Sequence, residues 1–294
     1  MIKKEYIPTA WETVACPFCN SSNGKPYQRF GSKGQYQTLR CGTCQLIYLS
    51  PRPKYDQDFI DAAYASYYQY VDNLNLNEET IVKHSSIDLF KKEMVYVAQF
   101  DRSKTAVLDI GSGMGTFLYV ARQHYPEAVG LDVSEKMAAF VEKQLGVKVY
   151  LQQFQDFNYP KKFSLIHMSH VLEHIPNPNE WLQKAKSLLE KNGILVINVP
   201  NKFSFGRLFQ HVLYKMKLKK QFSSSWKDPA RTPDHLFEPT IPAMKFLLKK
   251  NGYRIIKYYT YSRKDPASNR SIFSKFFNRN LKTGSNLAFI TTPE

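Results

Sequence analysis

The sequence predicts an α/β fold, a sheet of parallel strands flanked by helices and preceded by a small N-terminal zinc ribbon. Three observations predict it. From about residue 83 onward, strand-like apolar runs alternate with helix-period segments, the mark of successive βα units. A glycine-rich turn, Asp109-x-Gly111-x-Gly113-x-Gly115, joins the first of those runs to a helix, and the next run closes on Asp132. Two Cys-x2-Cys pairs, Cys16/Cys19 and Cys41/Cys44, stand ahead of both.

A chain of 294 residues can bury a full core, as one large domain or as a domain with a small appendage. Its net charge of +16 is uneven: residues 201–294 hold 19 Lys/Arg against 5 Asp/Glu, and residues 1–200 hold 22 against 20. A basic C-terminal part suits phosphates, nucleic acid or an anionic membrane surface, or is simply a solvated lysine face. No stretch approaches the ~20 apolar residues of a membrane span, and MIKKEYIPTAWE lacks a secretory apolar region. The expected location is the cytoplasm, with peripheral contact to an anionic membrane left open.

Residues 1–52 read as the ribbon. Cysteines in a cytosolic chain serve as metal ligands more readily than as disulfides, and two knuckles with 21 residues between them can wrap four thiolates around one zinc ion. Gly24, Gly31, Gly34 and Gly42 supply turns between strand-like runs such as YQTLRC and LIYLS. Four sulfur ligands leave no position for water, so one structural Zn2+ is expected, replacing a core that so short a segment cannot build. Residues 53–82 read as a Pro-punctuated linker running into a tyrosine-rich segment. Its tyrosines, Tyr64, Tyr67, Tyr68 and Tyr70, either pack it down or line a substrate mouth.

Residues 83–294 carry the main domain, with a basic insertion at 202–233. TAVLDIGSGMGTFLYVARQ starts as a buried strand and continues as a helix, and glycines at the join let backbone approach a ligand while the helix start offers free N–H groups. Asp109 is placed to receive hydrogen bonds from a cationic amino-acid moiety. Asp132, about 20 residues past the glycines, suits a pair of ribose hydroxyls. A dinucleotide dehydrogenase also needs such a turn, but its G-x-G-x-x-G spacing is not met and no second nucleotide half follows.

From about residue 80 to the C-terminus these elements resemble the class I S-adenosylmethionine (SAM) methyltransferases. The resemblance implies a Rossmann-like seven-stranded sheet, mostly parallel with the last strand antiparallel. It implies that Asp109, Gly111, Ser112, Gly113 and Gly115 cradle the methionine part of SAM, and that Asp132 and Val133 hold the ribose. After the third strand, VKVYL, the family offers an acid and a small residue to the adenine; here Gln153 and Phe154 stand there, and the Gln153 carbonyl can accept from the adenine amino group.

FSLIHMS reads as the fourth strand, followed by His170-Val-Leu-Glu173-His174 in the H-x-x-E-H order of an inverted zinc-peptidase motif. That motif needs both histidines one turn apart on a sustained helix, whereas Pro176 and Pro178 follow closely. The next helix starts later, with Asn177 as N-cap, Pro178 at the first position and Glu180 completing a capping-box-like pattern. The loop therefore sits at the carboxyl end of a strand, where open α/β sheets bind ligands. By the same resemblance His170 lies beside the cofactor and His174 faces the methyl-transfer cavity. A neutral imidazole with an ordinary pKa near 6.5 can take a substrate proton, with Glu173 to orient it; the alternative is a histidine that only stabilises the loop. The family's N/D-P-P-Y/F string for planar nitrogen is absent here, which disfavours such acceptors.

GILVINVPN is the fifth strand, YRIIKYYTYS the sixth and NLAFITT the seventh. In the insertion, Leu208, Phe209, Val212, Leu213 and Met216 share a helical face, with Lys215, Lys217, Lys219 and Lys220 largely elsewhere: a lid over the pocket, or a basic amphipathic helix on a bilayer. Asp234-His235 opens the next segment. In sugar-modifying relatives an acid–histidine pair here reaches the substrate, so His235 is the second acid/base candidate; otherwise it caps the segment. Tyr67, Tyr68 and Asn201 are the candidate acceptor contacts.

Knuckle, glycine turn and H-V-L-E-H-I-P loop together resemble bacterial methyltransferases of sugar and surface-polysaccharide biosynthesis, and also the zinc-bearing C-methyltransferases of nucleotide-linked deoxysugars. The latter carry a further C-terminal domain for which this chain has no room, so O-methylation stands beside C-methylation. The resemblance implies SAM and one Zn2+, and a small sugar-type acceptor bearing phosphate. Nucleic acid is disfavoured because the knuckle region is not notably basic. An RNA methyltransferase and a non-catalytic SAM-binding protein remain the alternatives, and oligomeric state is open.

Overall fold

The computed structural model describes residues 8–31, 34–73, 76–84, 86–204, 233–261 and 284–294, and for residues 65–72 the backbone alone. The expected helix of the insertion, with Lys215, Lys217 and Lys219, lies outside them. In chain order the elements are β1 (Trp11–Glu12), β2 (Gly24–Phe30), β3 (Tyr36–Cys41), β4 (Ile47–Leu49), β5 (Arg52–Pro53), α1 (Gln57–Asp72), α2 (Glu78–Val82), α3 (Ile87–Val97), β6 (Ala106–Ile110), α4 (Thr116–Ala121), β7 (Glu127–Asp132), α5 (Glu135–Leu145), β8 (Lys148–Leu151), β9 (Phe163–Ser169), α6 (Pro178–Leu188), β10 (Leu189–Pro200), β11 (Phe237–Glu238), α7 (Ile241–Lys250), β12 (Tyr253–Tyr261) and β13 (Asn286–Pro293).

Seven strands form the central sheet in the order β12-β13-β10-β9-β6-β7-β8. β6, β7, β8, β9 and β10 pair in parallel, and β13 runs antiparallel to both β10 and β12. This is the Rossmann-like arrangement expected, last strand included. The inner strands read as continuous apolar runs because helices cover both faces: all five residues of β6 are buried. α5 shows how local chemistry sets an element: Ser134 accepts from the Met137 amide at its start, Gly146 turns left-handed at its end, and Met137, Val141 and Leu145 form one buried stripe. Asn177 begins α6 with Pro178 at the first turn, but its side chain makes no cap bond, so the capping-box-like pattern is not formed. The segment expected as a linker holds α1 and α2.

The ribbon is not a separate body. Its sheet has the order β11-β4-β3-β2, so a strand from far along the chain completes it: Phe237 pairs Tyr48 and Glu238 pairs Ile47. The Phe18 and Phe237 rings meet edge-on at 4.9 Å, and both are fully buried. Asn179 and Lys250 donate to the Pro17 and Phe18 carbonyls at 2.7 and 2.8 Å. One hydrophobic cluster runs from Cys16, Phe18 and Leu46 into Leu182, Leu248 and Phe289. Burying each of these aromatic rings contributes about 1.5–3 kcal/mol. Among the described residues no helix is long and apolar enough to cross a membrane.

Candidate active site

The carboxyl ends of β6, β7 and β9 and one face of α1 enclose a cavity of about 480 Å³. At the end of β6, Gly111 takes φ +71°, and a Cβ there would stand 2.5 Å from Val171 Cγ2, so only glycine lets the backbone pass beneath the loop after β9. Gly115, φ +75°, opens α4 where a Cβ would meet Val141 at 2.8 Å. Asp132 reaches across from β7: one oxygen accepts from the Gly113 amide at 2.7 Å, the other from the Ser134 amide at 2.8 Å. Burial raises its pKa against the pull of those amides. The carboxylate thus fixes the turn and keeps acceptor capacity toward the cavity.

The loop after β9 supplies the second half. His170 sits at φ +56°, uncommon outside glycine, and its amide donates to the Asn198 carbonyl at 2.8 Å. A single 3-10 turn, Leu172–His174, then carries Glu173 and His174. Glu173 is fully buried and accepts from His170 Nδ1 at 3.1 Å. Burial alone raises its carboxyl, but the His170 hydrogen bond and the imidazoles of His170, His174 and His235 hold it at about 2. His174 Nδ1 donates to the Asp234 carbonyl at 2.8 Å, which leaves Nε2 with its lone pair, and burial lowers the pKa of the ring. The His235 ring lies 4.9 Å from that of His174 and nearly perpendicular to it. Burial opposes charge on His235 too, but Glu238, Glu173 and Asp234 raise it.

Position follows from the ribbon. The Leu236 amide donates to the Glu173 carbonyl, and the Leu236 carbonyl accepts from the Leu49 amide, both at 2.9 Å. His235 is therefore clamped between the catalytic-side loop and β4 by backbone bonds on either side of Leu236.

Gly111, Gly113, Asp132, Val133, Gln153, Phe154, His170, Glu173, His174, Asp234 and His235 all line the cavity. Ser112 and Gly115 stand behind its wall. Asp109 points into the core: it pairs in register with His167 on β9, and cross-strand neighbours on one face meet, so its Oδ1 lies 2.7 Å from His167 Nδ1. The other His167 nitrogen faces Glu93 at 3.6 Å, and the Phe117 ring stacks on the imidazole at 3.7 Å. Asn201 is likewise outside the lining; it donates to the Gly284 carbonyl and accepts from the Phe203 amide, tying strand ends together. Tyr67 and Tyr68 fall on α1, with side chains outside the described residues. Among the described residues Tyr55, Tyr64 and Trp181 also line the cavity, Tyr64 with its ring 5.7 Å from His174 and Trp181 packed on Phe154 at 5.0 Å. The spacing Ile60, Ala63, Tyr64 is one helical face, a signal the sequence did carry.

Within the ribbon, where it packs on the main domain, the four cysteines converge. Cys16 and Cys44 sulfurs are 3.4 Å apart, as are those of Cys19 and Cys41, and all four lie within 4.8 Å. A tetrahedral ion with Zn–S near 2.3 Å requires edges of about 3.8 Å. The knuckles are twins: Asn20 and Gln45 both turn left-handed and donate back to the carbonyls of Cys16 and Cys41, aiming each pair of sulfurs inward. The donor set fits one structural zinc, which Cys16, Cys19, Cys41 and Cys44 would hold.

The family described as "Methyltransferase domain" matches residues 83–258. An uncharacterized protein of Methanocaldococcus jannaschii is 28% identical over 145 residues, 47% of this chain and 65% of its own. A ubiquinone biosynthesis O-methyltransferase of Histophilus somni is 28% identical over 107 residues, 33% of this chain and 45% of its own. The chain thus spans less than two thirds of the length of either relative. Among solved structures, a SAM-dependent methyltransferase from Archaeoglobus fulgidus superposes with a TM-score of 0.50 at 19% identity, covering 77% of this chain and 99% of that one, a likeness of fold.

Proposed function

The chain belongs to this methyltransferase family, and from that premise we propose that it moves a methyl group from SAM to a hydroxyl, or to a carbon, of a small acceptor of the phosphate-bearing sugar type. One observation carries the proposal: Glu173, His174 and His235, drawn from distant parts of the chain, meet in the same cavity as the Gly111–Gly113 turn and Asp132. The cradle fits the cofactor by its donor set, a glycine backbone admitting close approach and a carboxylate with acceptor capacity for ribose hydroxyls. Bound there, SAM supplies an electrophilic methyl on a sulfonium that leaves as a neutral thioether.

The chain's own residues supply alignment and proton removal. His174, its Nδ1 committed to the Asp234 carbonyl, presents the Nε2 lone pair to an acceptor proton. His170 and Glu173 hold that loop in shape, and Tyr64, Phe154 and Trp181 wall the cavity with aromatic surface. Oxygen as the acceptor atom is supported by the name of the Histophilus somni relative. Phosphate on the acceptor is supported by the excess of Lys/Arg after residue 200.

The test is incubation of the purified chain with SAM and a panel of nucleotide-linked sugars, following the demethylated cofactor and the gain of one methyl on the acceptor. His174→Gln is expected to lower kcat by about 10²–10⁴-fold with SAM affinity unchanged. Full turnover by that variant overturns its role, and failure of every hydroxylated sugar overturns the acceptor class.

A further inference from the structure

The same cavity holds an arrangement that a proton-accepting histidine alone does not explain. Glu173 has no exposed surface; one oxygen accepts from His170, and the other, Oε2, has no hydrogen-bond partner among the described residues. His174 spends its ring proton on the Asp234 carbonyl, so Nε2 keeps a lone pair, and it lies 3.9 Å from Glu173 Oε1. A nitrogen without a proton and a carboxylate oxygen are thus neighbours with no hydrogen bond between them. His235 stands alongside, and the donor atoms of Glu173, His174 and His235 all lie within 4.8 Å of one another.

We propose that Glu173, His174 and His235 form a second metal site, distinct from the four cysteines, for a divalent first-row transition cation. The inference rests on the methyltransferase reading and deepens it: with the ion bound, His174 Nε2 is a ligand and the acceptor hydroxyl is activated on the cation, whereas without the ion the same lone pair takes the proton directly. Two imidazoles and one carboxylate suit a zinc-type ion and leave positions open, whereas magnesium and calcium favour oxygen donors. The surroundings are those a ligating histidine needs: Nδ1–H on a backbone carbonyl fixes the tautomer, and His170 orients the carboxylate. Closing onto an ion at about 2.0–2.2 Å requires the three donors to draw together by about 1 Å. The open positions face the cavity, where an acceptor oxygen on the cation would lose its proton more readily.

The peptidase reading of H-x-x-E-H failed on its helix, and this site uses different residues. His170, the first histidine of that motif, orients Glu173, while the third ligand comes from the segment that β4 holds in place.

The experiment is Co(II) loading of the full chain, counted by elemental analysis and read by absorption. Wild type is expected to take up one ion marked by thiolate charge transfer and a further ion without it. Glu173→Gln and His235→Ala are each expected to lose the second ion, keep the thiolate-marked one and still bind SAM by calorimetry. Equal Co(II) content in wild type and both variants overturns the proposal and leaves the histidines as acid/base groups. Failure of wild type to bind SAM is a separate result that overturns the methyltransferase reading, whatever the metal count.

Discussion

The buried charges beneath the cradle make a share of the stability pH-dependent. His167 is 1% exposed, with Asp109 at 2.7 Å from one ring nitrogen and Glu93 at 3.6 Å from the other. Burial opposes a charged ring, but the two carboxylates outweigh it and push the pKa to about 9. In the unfolded chain a histidine titrates near 6.5, so the folded state binds this proton more tightly. The sign follows from linkage: the contribution is complete below about pH 6.5 and is lost as pH rises through about 9. At ~1.4 kcal/mol per pH unit, that interval is worth about 3 kcal/mol. Urea denaturation of wild type and His167→Asn at intervals across this window measures it. The stability advantage of wild type is expected to fall by about that amount, while ring nitrogen chemical shifts at neutral pH report both nitrogens protonated. An advantage that stays level or grows across the window refutes a buried imidazolium.

Three further outcomes are expected. Asp132→Asn removes charge-assisted acceptance, worth about 1.5–3 kcal/mol per bond, so calorimetry should show SAM binding weakened by roughly 10- to 100-fold; an unchanged affinity would count against the ribose role. Gly111→Ala forces a Cβ onto Val171 at a left-handed position, and a loss of SAM affinity of at least about 10-fold is expected, only partly recovered in the double variant with Val171→Ala because the backbone strain of about 1–2 kcal/mol remains. Cys44→Ser should release the ribbon ion and lower Tm, and because β4 holds the segment after His235, kcat should fall more than SAM affinity; a ribbon that came loose with kcat intact would separate it from the site.

Much of the site was legible because its signals are short-range. FSLIHMS coincides with β9 residue for residue, since a short, mostly apolar run ended by a turn is what a two-sided buried strand looks like. The twin knuckles were legible in the same way: a Cys-x2-Cys spacing already brings two sulfurs to one side. Among the tyrosines read as a possible substrate mouth, Tyr64 lines the cavity, and the sequence did not single it out because several tyrosines fall near one helical face and the pattern does not say where along it the cavity opens.

The sequence by itself determined the succession of the main domain's strands, the glycine turn with Asp132, and the four-cysteine spacing, all of them set by periodicity or by spacings of a few residues. Only the tertiary structure decided that Asp109 serves His167 rather than the cavity, that Phe237 and Glu238 complete the ribbon sheet, and that His235 thereby reaches Glu173 and His174. The physical reason is the same in each case. Register between strands far apart in the chain is chosen by the burial of whole faces and the pairing of backbone groups, and no local pattern records which partner wins.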